Sequence, residues 1–270
     1  MDSTVEVAYE PTEEFVRSTN VWAFMQEHGI DDYDELLGRT SGSREARDWF
    51  WDEVVSYLDV EFDEPYDRVR DDADGPQFTE WYPGGQLNVA HNVLDRHAEP
   101  GEPTRNDVAC TWEGEDGEVR EVSFQRLHRE ANKVANVLEE RGVGVGDAVA
   151  IFMPMVPEII AVLYGCFKVG AVAVPVFSGF GVDAVATRIE DAQPPVLFTA
   201  DGFYRRGDPV YLKDTADAAI EQAGGVEHTV VYDRLGSRGE DGGSTDGDVP
   251  WRGDRDEWWA DTVAQADDDF

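Results

Sequence analysis

Lysine is the scarcest charged residue in this chain: three of the 22 basic residues are Lys, against 58 Asp and Glu in 270 residues. The formal net charge is −36. A surface this negative repels the phosphates of DNA and RNA, whose binding depends on contacts with Lys and Arg. The composition therefore excludes nucleic-acid binding.

The acidity favours an adaptation to the solvent over a binding surface for a basic partner. Dense carboxylates keep a protein hydrated when salt near about 1 M screens charges beyond about 3 Å, and they repel one another at low salt. The scarcity of Lys beside 19 Arg is similar to the composition of proteins from salt-loving organisms. We therefore expect a halophilic protein of haloarchaeal character.

Cysteine is also scarce. Cys110 and Cys166 lie far apart without a CxxC motif, so the sequence predicts neither a disulfide framework nor a zinc site. His91 and His97 are not at the i, i+4 spacing that directs two imidazoles of one helix at a metal ion. We expect no resident metal and a reducing, cytoplasmic environment.

Long hydrophobic runs are missing as well. The first 20 residues are acidic and lack the apolar core of a secretory signal. The most apolar stretch, residues 159–177, contains Lys168 and Pro175 and divides into a helix and a strand. We therefore expect no membrane-spanning segment.

Two common catalytic signatures are absent from the 270 residues: the GxxxxGK[ST] phosphate loop and the GxSxG nucleophile elbow. Gly142, Gly144 and Gly146 have the spacing of a dinucleotide-binding loop, but they precede a predicted strand instead of following one. We interpret them as a helix-to-strand turn. No pair of carboxylates stands out, so no catalytic residue is predicted.

The N-terminal 80 residues are strongly acidic, with 23 acidic and 6 basic side chains. Apolar residues recur at helical spacing between residues 12 and 60, and Gly29 and Gly42 interrupt them. The pattern predicts acidic helices that form a covering segment, residues 1–80, and no catalytic element.

The charge density falls within residues 81–234, where short β-branched runs alternate with helix-length segments. The predicted strands are residues 148–152, 172–176, 196–199 and 229–232, and the predicted helices follow Ser123 and span residues 158–169, 182–191 and 212–223. Helix-length connections require the strands to pair in parallel, with helices on both faces. The predicted fold class is α/β, with a parallel βαβ sheet.

Ligands of such sheets bind at the carboxyl ends of the strands, which directs attention to the loops after the first three predicted strands. In the second of these loops, Gly179 permits close approach of a ligand to the backbone. The third loop, residues 200–207, carries Arg205 and Arg206, whose guanidinium groups suit phosphate oxygens. The alternative is a surface loop held by salt bridges.

Several segments in this region share a likeness to one family. They are residues 81–88 (WYPGGQLN) with 95–97 (DRH), residues 149–158 (VAIFMPMVPE), residues 176–180 (VFSGF), residues 188–191 (RIED) and residues 199–207 (TADGFYRRG). In this order and spacing they resemble the AMP-forming acetyl-CoA synthetases, which belong to the adenylate-forming acyl-CoA synthetases. The likeness runs from about residue 45 to Trp259.

The resemblance implies a two-step reaction that uses ATP, Mg²⁺ and CoA. A small carboxylic acid attacks the α-phosphate of Mg-ATP and gives an acyl-adenylate and pyrophosphate. The CoA thiol then displaces AMP.

The resemblance also implies residues that bind CoA. Arg205 matches a basic residue that contacts the phosphates of the CoA nucleotide, and Gly179 matches a glycine along the same path. Where many family members have a second basic residue, this chain has Asp208. This difference weakens the attraction for the 3′-phosphate unless Arg206 substitutes.

In the family, the phosphate loop, the nucleotide and acyl pockets and the C-terminal domain follow the segment that Trp258 and Trp259 match. Residues 235–270 are therefore expected to be an acidic linker and the start of a further subdomain, in which something covers the two Trp side chains. We expect the chain alone to be inactive, as a truncated product or as half of a split enzyme with a separately encoded C-terminal half. The alternative is a non-catalytic module for CoA or protein binding.

Overall fold

The structure is a computed structural model that describes residues 8–239 and 249–270. The chain divides into two compact units, Met1–Leu87 and Asn88–Phe270. The boundaries predicted after residues 80 and 234 remain predictions. Among the described residues, no helix combines the length and apolarity needed to cross a membrane.

The first unit contains the predicted acidic helices. Its elements are α1 (Glu13–Arg17), α2 (Asn20–Glu27), α3 (Tyr33–Ser41), α4 (Arg44–Tyr57) and the antiparallel pair β1 (Arg70–Asp71) and β2 (Glu80–Trp81). Each helix begins after a Thr, Asp or Ser whose side chain accepts a hydrogen bond from a backbone N–H of the first turn. Phe24, Met25, Ile30 and Leu36 form the core of this unit.

The second unit alternates strands and helices as the sequence predicts. Its elements are α5 (Arg96–Ala98), β3 (Val108–Glu113), β4 (Val119–Ser123), α6 (Phe124–Glu140), β5 (Ala148–Phe152), α7 (Pro157–Val169), β6 (Val172–Pro175), α8 (Val182–Ala192), β7 (Val196–Ala200), β8 (Gly202–Arg205), β9 (Asp208–Tyr211), α9 (Leu212–Ala223), β10 (His228–Tyr232) and β11 (Asp256–Trp258). Two antiparallel hairpins, β3–β4 and β8–β9, lie outside the main sheet. Residues 200–207, which were predicted to form a loop, are therefore corrected to the end of β7 and most of the hairpin β8–β9.

The main sheet has the strand order β11-β10-β7-β5-β6, and every pairing in it is parallel. The predicted parallel α/β fold is confirmed. If the five strands are renumbered along the chain, the order read from β6 is 2-1-3-4-5, an order common in doubly wound sheets. Connections leave the adjacent strands β5 and β7 in opposite directions, which opens a crevice above their carboxyl ends.

Both faces of the sheet are covered. Val149 and Ile151 of β5 join a cluster with residues of α6 and α7, whereas Ala150 and Phe152 join a cluster with residues of α8 and α9. Because neither face meets water, the central strands are continuous apolar runs instead of alternating ones.

The helix termini predicted around α6 are confirmed. The Ser123 hydroxyl accepts a hydrogen bond from the Arg126 backbone N–H at 3.3 Å. Gly142 has φ 75°, and the next backbone N–H, of Val143, donates to the Leu138 carbonyl at 3.0 Å. This is a left-handed cap in which glycine avoids steric strain, so the glycines here form a turn and no phosphate loop.

The two adjacent Trp residues near the C-terminus are covered by the second unit itself. Trp258 lies in β11 and is 1% exposed, and Trp259 is 7% exposed. The Trp258 ring stacks on Trp251 at 4.5 Å, and the Trp259 ring meets Phe198 edge-on at 6.2 Å. The cover that the sequence analysis expected thus comes from the sheet to which β11 belongs.

Candidate functional site

A cleft of about 360 Å³ lies in the second unit at the carboxyl ends of its parallel strands. Loops that follow β5, β6, β7 and β10 form it together with the β3–β4 hairpin. Its lining residues are Trp112, Glu113, Gly114, Glu115, Pro154, Met155, Val156, Phe177, Ser178, Gly179, Phe203, Tyr204, Arg205 and Arg234. The loops after the first three predicted strands therefore meet in one place, as the position rule for parallel sheets predicts.

Gly179 lines the cleft beside an aromatic ring. A Cβ added to Gly179 would stand 2.5 Å from Cε1 of Phe177, closer than two carbon atoms can approach. The Phe177 ring packs edge-on against Phe180 at 5.5 Å between centroids and is 63% exposed. Glycine therefore lets the ring and the backbone lie together, and it leaves the backbone open on the cleft side.

The hairpin β8–β9 separates the two neighbouring arginines that the sequence singled out. Arg205 is the last residue of β8, pairs in register with Asp208 and lines the cleft. Arg206 and Gly207 form the two-residue turn, with φ 55° and 87°, as a type I′ turn requires. Arg206 is not among the cleft residues. The structure thus brings Gly179 and Arg205 together and places Arg206 at the turn.

Asp201 joins the loop after β10 to the end of β7, a role that the sequence analysis missed. Its carboxylate is completely buried and accepts hydrogen bonds from the backbone N–H groups of Gly202, Arg234, Leu235 and Ser237 at 2.8 to 3.3 Å. The pKa of the neighbouring Asp233 carboxyl is raised, mainly by burial and secondly by the negative charge of Asp201. An Asp directly after a buried strand was the signal in the sequence.

Trp112 and Arg234 are two further cleft residues that the sequence analysis missed. Nε1 of Trp112 donates to the Met155 carbonyl at 2.5 Å, which fixes the indole to the loop after β5. The guanidinium carbon of Arg234 lies 5.4 Å from the Trp112 ring centroid and 5.7 Å from that of Tyr204. These residues are distant in sequence, and only the position of Arg234 after a predicted strand could have indicated it.

The charges around the cleft are of both signs. Arg205 and Arg234 supply two guanidinium groups, and Glu113 and Glu115 supply two exposed carboxylates. Nη2 of Arg234 donates to Oδ2 of Asp116 at 3.0 Å, and this hydrogen bond lowers the pKa of the Asp116 carboxyl. Guanidinium groups beside aromatic rings and open backbone suit a ligand that carries phosphates and a planar base.

The described residues, 8–239 and 249–270, contain no group of three or more His, Cys, Asp or Glu side chains placed to hold a metal ion. The groups that the cleft offers a ligand are guanidinium, aromatic and backbone groups.

Two family models match the chain. The model for the AMP-binding enzyme matches residues 96–267, and the model for the acetyl-coenzyme A synthetase N-terminus matches residues 40–93. The first match contains every residue that lines the cleft.

Similar proteins agree with these models. The acetyl-coenzyme A synthetase of Streptomyces coelicolor is 46% identical over 192 residues, which are 71% of this chain and 28% of that protein. The acetyl-coenzyme A synthetase of Deinococcus radiodurans is 42% identical over 237 residues, 87% of this chain and 34% of that protein.

Among solved structures, acetoacetyl-CoA synthetase from Streptomyces lividans has a TM-score of 0.79 at 26% identity, over 95% of this chain and 38% of that chain. The chain thus spans about a third of the length of the relatives it matches. Because the AMP-binding enzyme model covers more than half of the residues, the chain belongs to that family, and the N-terminal model together with the relatives assigns it within that family to the AMP-forming acetyl-coenzyme A synthetases, of which it carries an N-terminal portion.

Proposed function

We propose that this chain forms the coenzyme A-binding part of an AMP-forming synthetase that joins a small carboxylic acid to coenzyme A. The observation that carries this proposal is the meeting of Gly179 and Arg205 in one cleft above the parallel sheet. The family membership and the names of the relatives support the same activity.

In the proposed reaction, a carboxylate oxygen attacks the α-phosphorus of ATP and pyrophosphate leaves. The sulfur of CoA then attacks the acyl carbon, and AMP leaves with the electrons of the broken C–O bond. Neither step is assigned to a residue of this chain. Its contribution is to hold the nucleotide end of CoA, because a guanidinium group pairs well with phosphate oxygens and Gly179 allows the ligand to approach the backbone.

ATP and Mg²⁺ belong to the complete reaction in this proposal, and the cleft itself is proposed to bind only CoA. The roles proposed here for Arg205 and Gly179 concern the phosphates of CoA and not a metal ion.

We further propose that these 270 residues supply only part of the groups that the reaction needs. The share of the relatives' length that the chain spans, 28% and 34%, supports this. Adenylation needs donors or cations that stabilise the charge developing on pyrophosphate. Cytoplasmic location and function in high salt, both inferred from the composition, are part of the same proposal.

Calorimetric titration with CoA at about 1 M salt tests the binding proposal. We expect the wild-type chain to bind CoA and Arg205→Gln to bind about tenfold more weakly, because a lost charge-assisted contact costs about 1.5–3 kcal/mol. The matched control is Arg129→Gln, since Arg129 is exposed and pairs with Asp268 at 3.5 Å. Equal affinities of the two variants, or no heat with the wild-type chain, would overturn the proposal.

ATP–pyrophosphate exchange with acetate or propionate tests the second part. We expect no exchange from these 270 residues alone, and exchange when the remaining part of a relative is added as a second polypeptide. Exchange by these residues alone contradicts the claim of incompleteness. CoA binding without exchange in the presence of the second polypeptide favours the non-catalytic module instead.

A further inference from the structure

Two guanidinium groups line the cleft, and they come from different parts of the chain. Arg205 ends β8, whereas Arg234 lies just after β10. Arg206, which follows Arg205 directly in the sequence, occupies the hairpin turn and does not line the cleft. A ligand with more than one phosphate therefore meets Arg205 and Arg234 together.

Arg234 is held in place from three sides. Its backbone N–H donates to the buried carboxylate of Asp201 at 2.8 Å, and its guanidinium carbon lies 5.4 Å from the ring centroid of Trp112 and 5.7 Å from that of Tyr204. Its side chain is only 16% exposed. A cation fixed in this way needs little further ordering when an anion binds, which favours affinity.

The remaining partner of Arg234 is a carboxylate that can be replaced. Asp116 lies in the turn between β3 and β4, and its side chain is 44% exposed. The turn contains Gly117 at φ 80° and is tied to Arg234 by this single ion pair among the described residues. Ion pairs this exposed contribute little net stability, and salt weakens them, whereas a phosphate presents more charge and more acceptor oxygens than a carboxylate.

We propose that Arg234 is the second phosphate-binding residue of the cleft and that Asp116 occupies its guanidinium group until a phosphate displaces the carboxylate. This inference rests on the proposed function, because it assigns the nucleotide end of coenzyme A to the cleft. It replaces the expectation that Arg206 compensates for the acidic Asp208.

The proposal explains how a cleft with exposed carboxylates on one wall can accept an anion. Glu113 and Glu115 lie on the β3–β4 hairpin, on the same wall as Asp116. Arg205 extends from the end of β8, and Arg234 extends from the loop that follows β10. The phosphates thus contact two guanidinium groups, one of which Asp116 holds until they bind, and a planar base can stack on the exposed aromatic rings.

The experiment measures binding of two probes, CoA and adenosine 3′,5′-bisphosphate, to the full chain by calorimetry at low salt and at about 1 M salt. The variants are Arg234→Gln, Asp116→Asn and the matched control Arg206→Gln. We expect Arg234→Gln to weaken both probes about tenfold, as for one lost charge-assisted contact, and Arg206→Gln to leave both affinities within about twofold. Asp116→Asn should tighten both probes about threefold at low salt, and this gain should shrink at high salt because screening weakens the pair it removes.

The melting temperature of each variant shows whether it folds. If Arg234→Gln does not fold, the affinities of Asp116→Asn test the proposal instead. An Asp116→Asn variant that binds both probes no more tightly than the wild-type chain at low salt overturns the proposal. If Arg234→Gln folds and binds both probes like the wild-type chain, or if Arg206→Gln loses as much affinity as Arg234→Gln, the proposal is wrong while CoA binding stands. If the wild-type chain binds the bisphosphate through Arg234 but does not bind CoA, the proposed function fails and the assignment of Arg234 survives. Binding of neither probe overturns both.

Discussion

We expect Lys213→Met to remove a large part of the stability of the second unit. The Lys213 side chain is completely buried in α9, and its ammonium nitrogen lies 2.7 Å from both carboxylate oxygens of Asp217 and 2.7 Å from Oδ2 of Asp256. Arg255 completes the cluster, with Nε 2.7 Å from Oδ1 of Asp256 and a second hydrogen bond to Asp217. Two cations thus balance two anions.

The size of the effect follows from this balance. Methionine has a similar length and no charge, so Lys213→Met leaves two carboxylates with one guanidinium group away from water. Breaking a buried ion pair by removing one partner costs about 3–5 kcal/mol, because the charge that remains is uncompensated. Single domains are stable by about 5–15 kcal/mol, so the variant should unfold at a clearly lower urea concentration.

The stability difference between Lys213→Met and the wild-type chain should also narrow in acid. Burial by itself raises the pKa of Asp256, but hydrogen bonds from Arg255 and Lys213 outweigh this effect and hold the pKa below its ordinary value. A carboxyl with a lower pKa in the folded state contributes stability that is complete above its unfolded pKa of about 3.9 and is lost as the pH falls through the folded pKa. Without Lys213 the folded pKa of Asp256 rises toward the unfolded value, so the variant loses less stability in acid, and its deficit relative to the wild-type chain should shrink below about pH 4.

Urea unfolding followed by Trp fluorescence measures both effects, because Trp251 and Trp258 lie beside the cluster. The matched control is Lys133→Met in α6, where the partly exposed ammonium nitrogen lies 4.0 Å from a Glu130 oxygen and donates to the Ala264 carbonyl at 3.3 Å; its change should stay under about 2 kcal/mol. The loss in Lys213→Met should persist at about 1 M salt, because buried pairs are screened less. Similar unfolding of the two variants, within about 1 kcal/mol, would refute the reasoning.

Two further predictions concern packing and thiol chemistry. A Cβ on Gly165 would stand 2.5 Å from Cγ1 of Val134, so Gly165→Ala should destabilise the protein by about 1–3 kcal/mol. A Cβ on Gly38 in α3 would meet nothing within 4 Å, so Gly38→Ala should stabilise the protein by about 0.5–1 kcal/mol. Thermal unfolding measures both changes, and equal gains in stability would contradict the prediction. Burial raises the pKa of Cys166 to about 12, so a disulfide reagent at neutral pH should modify only Cys110 in the folded chain and both thiols in urea; two equally fast thiols would contradict it.

The parallel sheet could be predicted from the sequence because both of its faces are buried. β5 is therefore an uninterrupted apolar run, and β7 is apolar except for Thr199, so both stand out in an acidic chain. The strand β11 could not be predicted in this way. Its three residues include Asp256 and Glu257, and its place in the sheet depends on the buried ion cluster with Lys213, a contact across 43 positions that no local pattern records.

Some residues of the candidate site could likewise be predicted from the sequence, and others could not. The position of Gly179 and Arg205 after predicted strands was enough to place them at the carboxyl edge of the sheet. Trp112 was out of reach, because it comes from a hairpin outside that sheet. Arg206 shows the limit of local reasoning: it neighbours Arg205 in the sequence, but the left-handed turn directs the chain back after Arg205, and strand register decides which arginine lines the cleft.

In so acidic a sequence, the few carboxylates that hold the cleft together cannot be recognised from the sequence alone. Among the acidic residues, Asp201 is completely buried and accepts hydrogen bonds from several backbone N–H groups, among them that of Arg234. A carboxylate that loses water is stable only with such donors, so the loop after β10 cannot leave Asp201 without a large cost. Rigid placement of Arg234 follows from that constraint. In this chain, therefore, a buried negative charge determines where a positive charge is available to a phosphate, and a loop fixed in this way keeps the cleft formed before any ligand binds.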